Sequence, residues 1–274
     1  SGYIYGGVYP LKSPMTDNLG QSICVIFDIA DDDRDKNLIA NPPTTPYGVS
    51  SIFPKIRNIK PYHNDAIWPF VQGYWNWAAA ETDNEEALCQ GLGAIYRAAA
   101  LFGTHKELFV STTGDYRGAA TNSDKQLWSA AANLAMVYRV FAGMTYKSSG
   151  IKFEPFIPAS IPGTKNLKGF RYRNAILNVT IEGTGNRIAE FSVDGVVRKD
   201  HFIPASIEGE HNIVIKMANN TIKASKPPVQ EADFMPATPW TVWNGDSAYI
   251  AGVEEGVKYD VYVNGKKSFT TPDS

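Results

Sequence analysis

Residues 60–77, KPYHNDAIWPFVQGYWNW, decide how the first half of the chain is read. Pro69 is tolerated only within the first turn of a helix, so a helix opens next to Trp68. Behind it Ile67, Phe70, Val71, Tyr74 and Ala78 follow the helical period. Trp68, Trp75 and Trp77 make the segment apolar nearly all round, which predicts a helix over 66–81 that is buried on every side. The polar residues His63, Asn64 and Asp65 sit just upstream, at the helix's positive end, where Asn64 or Asp65 is placed to cap it. An indole beside such a group suits a sugar, with the ring on its apolar face and the polar side chains on its hydroxyls. A plainer reading accounts for each residue singly: Asp65 as an N-cap, His63 as a loop histidine, Trp68 as core.

Outward from this stretch the helical period continues. The pattern predicts helices over 17–40 (Leu19, Ile23, Ile26, Ala30), 84–103 (Leu88, Leu92, Ile95, Ala99) and 123–143 (Leu127, Ala131, Leu134, Tyr138). Thr82–Glu85 and Ser123–Gln126 match the capping box, and Gly103 and Gly143 mark stops. Near residue 150 the period changes to two, in 170–173, 176–181 and 212–216. Asp194-Gly195 and Asn264-Gly265 are two-residue hairpin turns. The fold class expected is therefore α+β multidomain: a helical domain over 1–150, an antiparallel β-sandwich over 151–223, then a Pro-rich linker at 224–239 within a terminal segment 224–274 that ends in β-strands.

The 274 residues are 43% hydrophobic, enough for a sizeable core, and 26 basic against 28 acidic residues give a net charge of −2. Bulk charge therefore gives no reason to expect a nucleic-acid or anionic-membrane partner. No apolar run approaches the roughly 20 residues that span a bilayer. Cys24 and Cys89 fall in helical patterns and are expected as buried free thiols. The acidic run 31–35 lacks the glycine and terminal glutamate of a calcium loop and reads as a solvated helix end. Asn178-Val179-Thr180 is a sequon within a predicted strand. No phosphate loop, dinucleotide fingerprint or zinc-spaced cysteine set appears, and no cofactor is expected.

YHNDAIWP at 62–69, followed by Trp128-Ser129-Ala130-Ala131 in QLWSAAANLAMVYRVFAGM, resembles the six-hairpin (α/α)6-toroid glycosidases, the superfamily of glucoamylases, trehalases, processing α-glucosidases and several disaccharide phosphorylases. The resemblance covers about residues 17–145, in the family's order, with Asp65 where glycine is common. It implies that the helical domain is part of a toroid and that Tyr62, His63, Asn64, Asp65 and Trp68 contact the sugar. In the processing-glucosidase branch a catalytic-base glutamate lies seven residues before the glycine of a Thr-Gly pair. Thr113-Gly114 places that base at Glu107, with Asp115 as the alternative and a plain surface glutamate as the competing reading.

An inverting glycosidase needs two carboxyl groups about 6.5–9.5 Å apart, one acid and one base. This chain offers one good candidate, and the family's acid comes from an earlier loop. Four helices are about a third of a toroid, so the expectation is the carboxy-terminal portion of a longer enzyme, with its amino-terminal portion as partner and an oligosaccharide or glycoside as substrate. An open toroid segment is expected to expose large apolar faces. The alternatives are a phosphorylase, with Lys106, Arg117, Ser111, Thr112 and Thr113 as phosphate donors, and a non-catalytic carbohydrate-binding protein. The compartment stays open, with a secreted or periplasmic setting preferred.

Overall fold

A computed structural model describes residues 15–222, 227, 240–253, 255–256, 258–263 and 266–271. Among these the chain is mixed α and β, with five α-helices, several separate sheets and no closed barrel.

The chain enters by β1 (Thr16–Asp17) and α1 (Asn18–Ile26), followed by α2 (Asp32–Ala40). The single helix expected over 17–40 is thus two. Asp28 adopts a left-handed φ of 52° after the first, and the Asp31 side chain caps the second by accepting from the Arg34 amide at 3.0 Å. β2 (Ile52–Phe53) pairs with β1, and β3 (Ala66–Ile67) precedes α3 (Pro69–Glu81), α4 (Glu85–Phe102), β4 (Phe109–Val110) and α5 (Leu127–Ala135). β3 and β4 form a two-stranded sheet, and this pairing delays the start of α3 to Pro69. No side chain caps α3, so neither Asn64 nor Asp65 serves as its N-cap. At α4 the cap is Asn84, accepting from the Ala87 amide, while the Thr82 hydroxyl donates back to the Ala78 carbonyl. Gly103 closes α4 with φ 63°, the left-handed stop that the sequence predicts.

α3 lies at the centre of the helical part, against α1, α4 and α5. Trp75, Ala78 and Ala79 of α3 pack with Val25, Ile39, Leu88, Leu92, Ala132, Met136 and Val140. Its burial is not complete, contrary to expectation: Tyr74 is 40% exposed, and Phe70 and Trp77 are part-exposed, the first stacked on Trp128 and the second under Arg139. Leu101, Leu127 and Leu134 are exposed as well. α5 runs directly into a π-helical segment, Met136–Phe141. Both cysteines are free and part-exposed rather than buried, with Cys89 Sγ 3.3 Å from Ser160 Oγ.

The remaining strands are β5 (Met144–Lys147), β6 (Gly150–Phe153), β7 (Lys165–Tyr172), β8 (Asn174–Glu182), β9 (Ile188–Val193), β10 (Val196–Arg198), β11 (Phe202–Pro204), β12 (Glu208–Met217), β13 (Trp240–Asn244), β14 (Ser247–Ala251), β15 (Asp260–Val263) and β16 (Lys266–Thr270). A five-stranded sheet of order β10-β9-β12-β8-β7 and a three-stranded sheet of order β11-β6-β5 share one core. Along β8 every second residue points inward, Ala175, Leu177, Val179 and Ile181. The larger sheet is not wholly antiparallel, because β12 inserts between β8 and β9 and runs parallel to β8, with Ile213 opposite Val179. Asp194 (φ 50°) and Gly195 (φ 80°) form the tight turn joining β9 to β10. Asn264-Gly265 and, Pro227 apart, the linker 224–239 lie outside the described residues. Ala142 and Met144 already belong to the sheet core, so the change in composition at 150 falls inside the β5–β6 hairpin. No helix among the described residues is long and apolar enough to cross a membrane.

Candidate active site

After the stop at Gly103 the chain turns through residues 104–108 into β4, and this turn carries Glu107. Its amide donates to the Ser123 carbonyl at 3.0 Å and to Asn122 Oδ1 at 3.1 Å, pinning the turn to the loop that leads into α5. Asn122 Nδ2 in turn holds the Leu108 carbonyl at 2.8 Å. The Ala120 amide donates to the Pro61 carbonyl at 2.8 Å, so the 60–69 stretch and the 104–123 loop are tied together.

The Glu107 side chain is buried, at 8% exposure. Its Oε1 accepts from the Tyr62 hydroxyl at 3.1 Å, and its Oε2 accepts from the Ser123 amide at 2.9 Å and hydroxyl at 2.7 Å. All three donors are neutral. A carboxylate has about four lone-pair sites, so these bonds orient it and leave a site on Oε1. The interaction also pushes the Tyr62 phenol above its ordinary pKa, since the Glu107 carboxylate accepts its hydroxyl bond.

Tyr62 touches this carboxylate, and His63 and Trp68 pack on Tyr62 in turn. The Trp68 indole nitrogen donates to the Tyr62 carbonyl at 2.5 Å. The Trp68 ring is 2% exposed, packed with Ala66, Val71 and Leu108, the core position of the plainer reading and not that of an indole open to a sugar. His63 covers its face, 5.3 Å away and within 8° of parallel, while Tyr62 and Trp128 meet it edge-on at 5.0 and 5.4 Å. The accessible rings of the set are His63, which is exposed, and Trp128, 43% exposed.

Asn64 and Asp65 are buried and work elsewhere. Asn64 accepts from the Ile56 amide at 2.6 Å and donates to the carbonyls of Ile56 and Ile59. Asp65 adopts φ 52°, the left-handed region that favours glycine, which explains why glycine suits this position. Its carboxylate accepts a short bond from the Ser111 hydroxyl and lies 3.6 Å from Lys55 Nζ. These two residues shape the loop and are not gathered with Tyr62, His63, Trp68 and Glu107.

Asp115 faces a different environment from Glu107. Arg117 grips it through Nη2 at 2.6 Å and Nε at 3.1 Å, and its own amide donates at 2.9 Å. The Arg117 side-chain bond, then the backbone bond, hold the Asp115 carboxyl at about 2. A carboxylate so held is a poor proton acceptor near neutral pH. Of the donors considered for phosphate, Lys106, Arg117 and Ser111 already have carboxylate partners, although Lys106 and Arg117 both lie over the Tyr116 ring. Lys106 pairs with Asp124 at 3.1 Å and lies over the Tyr116 ring, Arg117 pairs with Asp115, and Ser111 is turned inward to Asp65. Among the described residues no three His, Cys, Asp or Glu side chains come together as a metal site.

The sequence pattern missed Ser123 and Trp128 as members of this site. Ser123 fits a capping box three residues before Gln126, but α5 starts at Leu127, and the Ser123 hydroxyl turns to Glu107 while Gln126 Nε2 donates to it at 2.8 Å. Trp128 opens the second motif and is an exposed tryptophan in a first helical turn, the signal by which it could have been found.

No protein-family model matches this chain, and no curated protein matches it in sequence.

Proposed function

We propose that the protein is a glycoside hydrolase of the six-hairpin type, cleaving an α-glucoside-like linkage with inversion. In this reading α1–α5 are a segment of an (α/α)6 toroid, the two sheets that share a core are its β-sandwich, and Glu107 is the general base. The observation that carries it is the state of Glu107: a buried carboxylate, held by Tyr62 and Ser123 through neutral donors, with a lone-pair site left on Oε1, and with Tyr62 packed in turn against His63 and Trp68. Glu107 takes a proton from water, whose oxygen attacks the anomeric carbon. The leaving oxygen takes its proton from an acid supplied by a portion of the enzyme outside the described residues. The pairing of Lys106 with Asp124, Arg117 with Asp115 and Ser111 with Asp65 favours water over phosphate as the nucleophile.

Glu107→Gln in the complete enzyme is the test, because the amide keeps the size of the side chain but cannot accept the proton. Turnover of an aryl α-glucoside is expected to fall by about 10²–10⁴-fold while sugar affinity is retained. Asp115→Asn is expected to retain near-wild-type kinetics. The reverse pattern moves the base to Asp115. Sugar binding with no turnover even in the unmodified enzyme would mark a carbohydrate-binding protein instead.

A further inference from the structure

A polar cavity of about 150 Å³ lies where the end of α3 meets the sheet part. Glu81 and Asp83 border it from the helical side, Arg139 from the π-helical segment, Thr145 from β5 and Glu154 from just after β6. The buried Val140 and Phe156 line its inner side, while Glu81, Asp83 and Glu154 are exposed, so the cavity opens to solvent. It is separate from the Glu107 site. Trp68 precedes α3 and Glu81 ends it, so the 13 residues of this helix set the two places about 20 Å apart.

The groups around the cavity are held in place and keep bonding capacity in reserve. Trp77 Nε1 donates to Glu81 Oε1 at 2.8 Å, Lys152 Nζ pairs with Glu154 Oε1 at 2.5 Å, and Asn186 Nδ2 donates to Asp83 Oδ1 at 2.6 Å, which ties the α3–α4 turn to the β8–β9 loop. In each of these carboxylates the second oxygen has no partner among the described residues. Arg139 lies over the rings of Trp77 and Tyr146, at 5.0 and 4.7 Å, and donates through Nη1 to the Met144 carbonyl at 3.1 Å. Its Nε and Nη2 donate to no other group among the described residues. Strong acceptors and strong donors therefore face one small space. An anion there meets three carboxylates, and a cation meets Arg139 with Lys152 close behind Glu154. A zwitterion has to shed the hydration of two charges. A neutral molecule with several hydroxyls, each both donor and acceptor, satisfies both kinds of group, and its C–H face suits Val140 and Phe156.

We propose that this cavity binds a neutral polyol on the scale of one sugar ring, through Glu81, Arg139, Thr145 and Glu154, and that it is a carbohydrate site apart from Glu107. The proposal does not rest on the glycosidase reading, because none of its residues belongs to that site. A sugar bound here bonds the end of α3 and the β5–β6 hairpin at once, and so braces the helical part against the sheet part.

The test follows two indole N–H signals by NMR in the full chain carrying nitrogen-labelled tryptophan. Trp77 donates to Glu81 at this cavity and Trp68 donates to the Tyr62 carbonyl at the other end of α3, so each signal reports one site. Glucose, galactose and mannose are titrated singly, with glycine and inorganic phosphate as charged probes. At least one sugar is expected to shift the Trp77 signal saturably. Thr145→Val and Glu154→Gln are each expected to weaken that binding by about tenfold. Both keep the shape of the side chain at positions outside the buried core, so the fold is retained. No shift at Trp77 with any of the three sugars overturns the proposal, and a shift at Trp68 alone does so while leaving the glycosidase reading standing. A Trp77 response of equal affinity in both variants places the sugar elsewhere and overturns it as well. A response to glycine or phosphate and not to the sugars overturns the polyol assignment.

Discussion

The helical and sheet parts of this molecule bury different chemistry. Among the described residues every buried polar or charged side chain except Ser192 lies before Ala142. The sheet core is aliphatic and aromatic, with Leu177, Val179, Ile181, Phe191, Ile213 and Ile215 facing Ile151, Phe153 and Ile203. In the helical part a polar line runs through the core itself: the Val49 amide donates to Gln72 at 2.7 Å, Gln72 donates to Asn76 at 2.8 Å, and Asn76 approaches Met136 Sδ at 3.4 Å. Gly91 makes room for this line, since a Cβ there would stand 1.8 Å from Asn76 Oδ1. Buried polar groups cost stability unless paired, yet when paired they fix direction in a way that methyl groups do not. The sheet is held by volume, and the loops around Glu107 are held by bonds.

The largest effect expected is in the sheet. Ile213→Ala removes a fully buried side chain and is expected to lower stability by about 2–5 kcal/mol, read as the shift in a urea midpoint. A loss under about 1 kcal/mol would show that this core is loosely packed and erase the contrast. Next comes the helical part, where Lys55→Met removes the charge facing Asp65; both side chains are nearly buried, at 9% and 12% exposure. Removing one partner of a buried pair typically costs about 3–5 kcal/mol, and the 3.6 Å separation places this one at about 3. If Lys55→Met is neutral, the polar burial in this part is not structural.

Smaller effects come from titration. The His211 imidazole pairs with Asp194 at 2.6 Å, and the Asp194 bond, then the Glu208 carbonyl, raises the His211 pKa above 6.5. The Asn212 amide, then His211, lowers that of Asp194 below 3.8. The His211 contribution is therefore full below pH 6.5 and fades as pH rises through its folded value; that of Asp194 is present above 3.8 and fades as pH falls through its folded value. Thermal melts from pH 5 to 9 are expected to lose part of their slope in His211→Gln, and an imidazole titrating at or below 6.5 by NMR would sink the assignment. Smallest is Asp35, one of the buried polar groups on the helical side, with Oδ1 unpartnered. Burial, then Asp28, Asp31 and Asp32, raises its pKa above 3.8. Its ionised form costs stability at neutral pH and the cost fades as pH falls through the raised value and is gone below 3.8, so Asp35→Asn is expected to raise the melting temperature slightly at pH 7 and less at pH 4.

The same contrast governs what the sequence disclosed. In the sheet part the inward residues repeat every two positions and the turn at Asp194-Gly195 demands positive φ, so strands and hairpin were legible from local pattern. The parallel β8–β12 pairing was not, since strand order depends on contacts between distant segments. In the helical part the periodicity was legible, though 17–40 proved to be two helices, and the stop at Gly103 was legible while the helix starts were not: Thr82, Ser123 and Asn64 all read as caps, and each spends its side chain elsewhere. Short polar side chains serve a helix start or a loop with the same atoms, and only the fold selects which. Glu107 became a candidate only through the family resemblance, which gives its spacing to Gly114 a meaning, and the neutral donors that distinguish it from Asp115 come from Tyr62 and Ser123, 45 and 16 residues away.

The π-helical segment at 136–141 sets the rotational phase of everything after it. Met136 and Val140 point into the helical core, Tyr138 packs on the sheet core, and Phe141 touches both. An α-helix advances about 100° per residue, so deleting one residue upstream in α5 turns the segment by more than a quarter of a revolution relative to one of its two neighbours. Either Met136 and Val140 leave their places beside α3, or Tyr138 and Phe141 leave the sheet. The joint therefore does not accept insertion or deletion, and a cut placed by composition at 150 severs the β5–β6 hairpin on the far side of it.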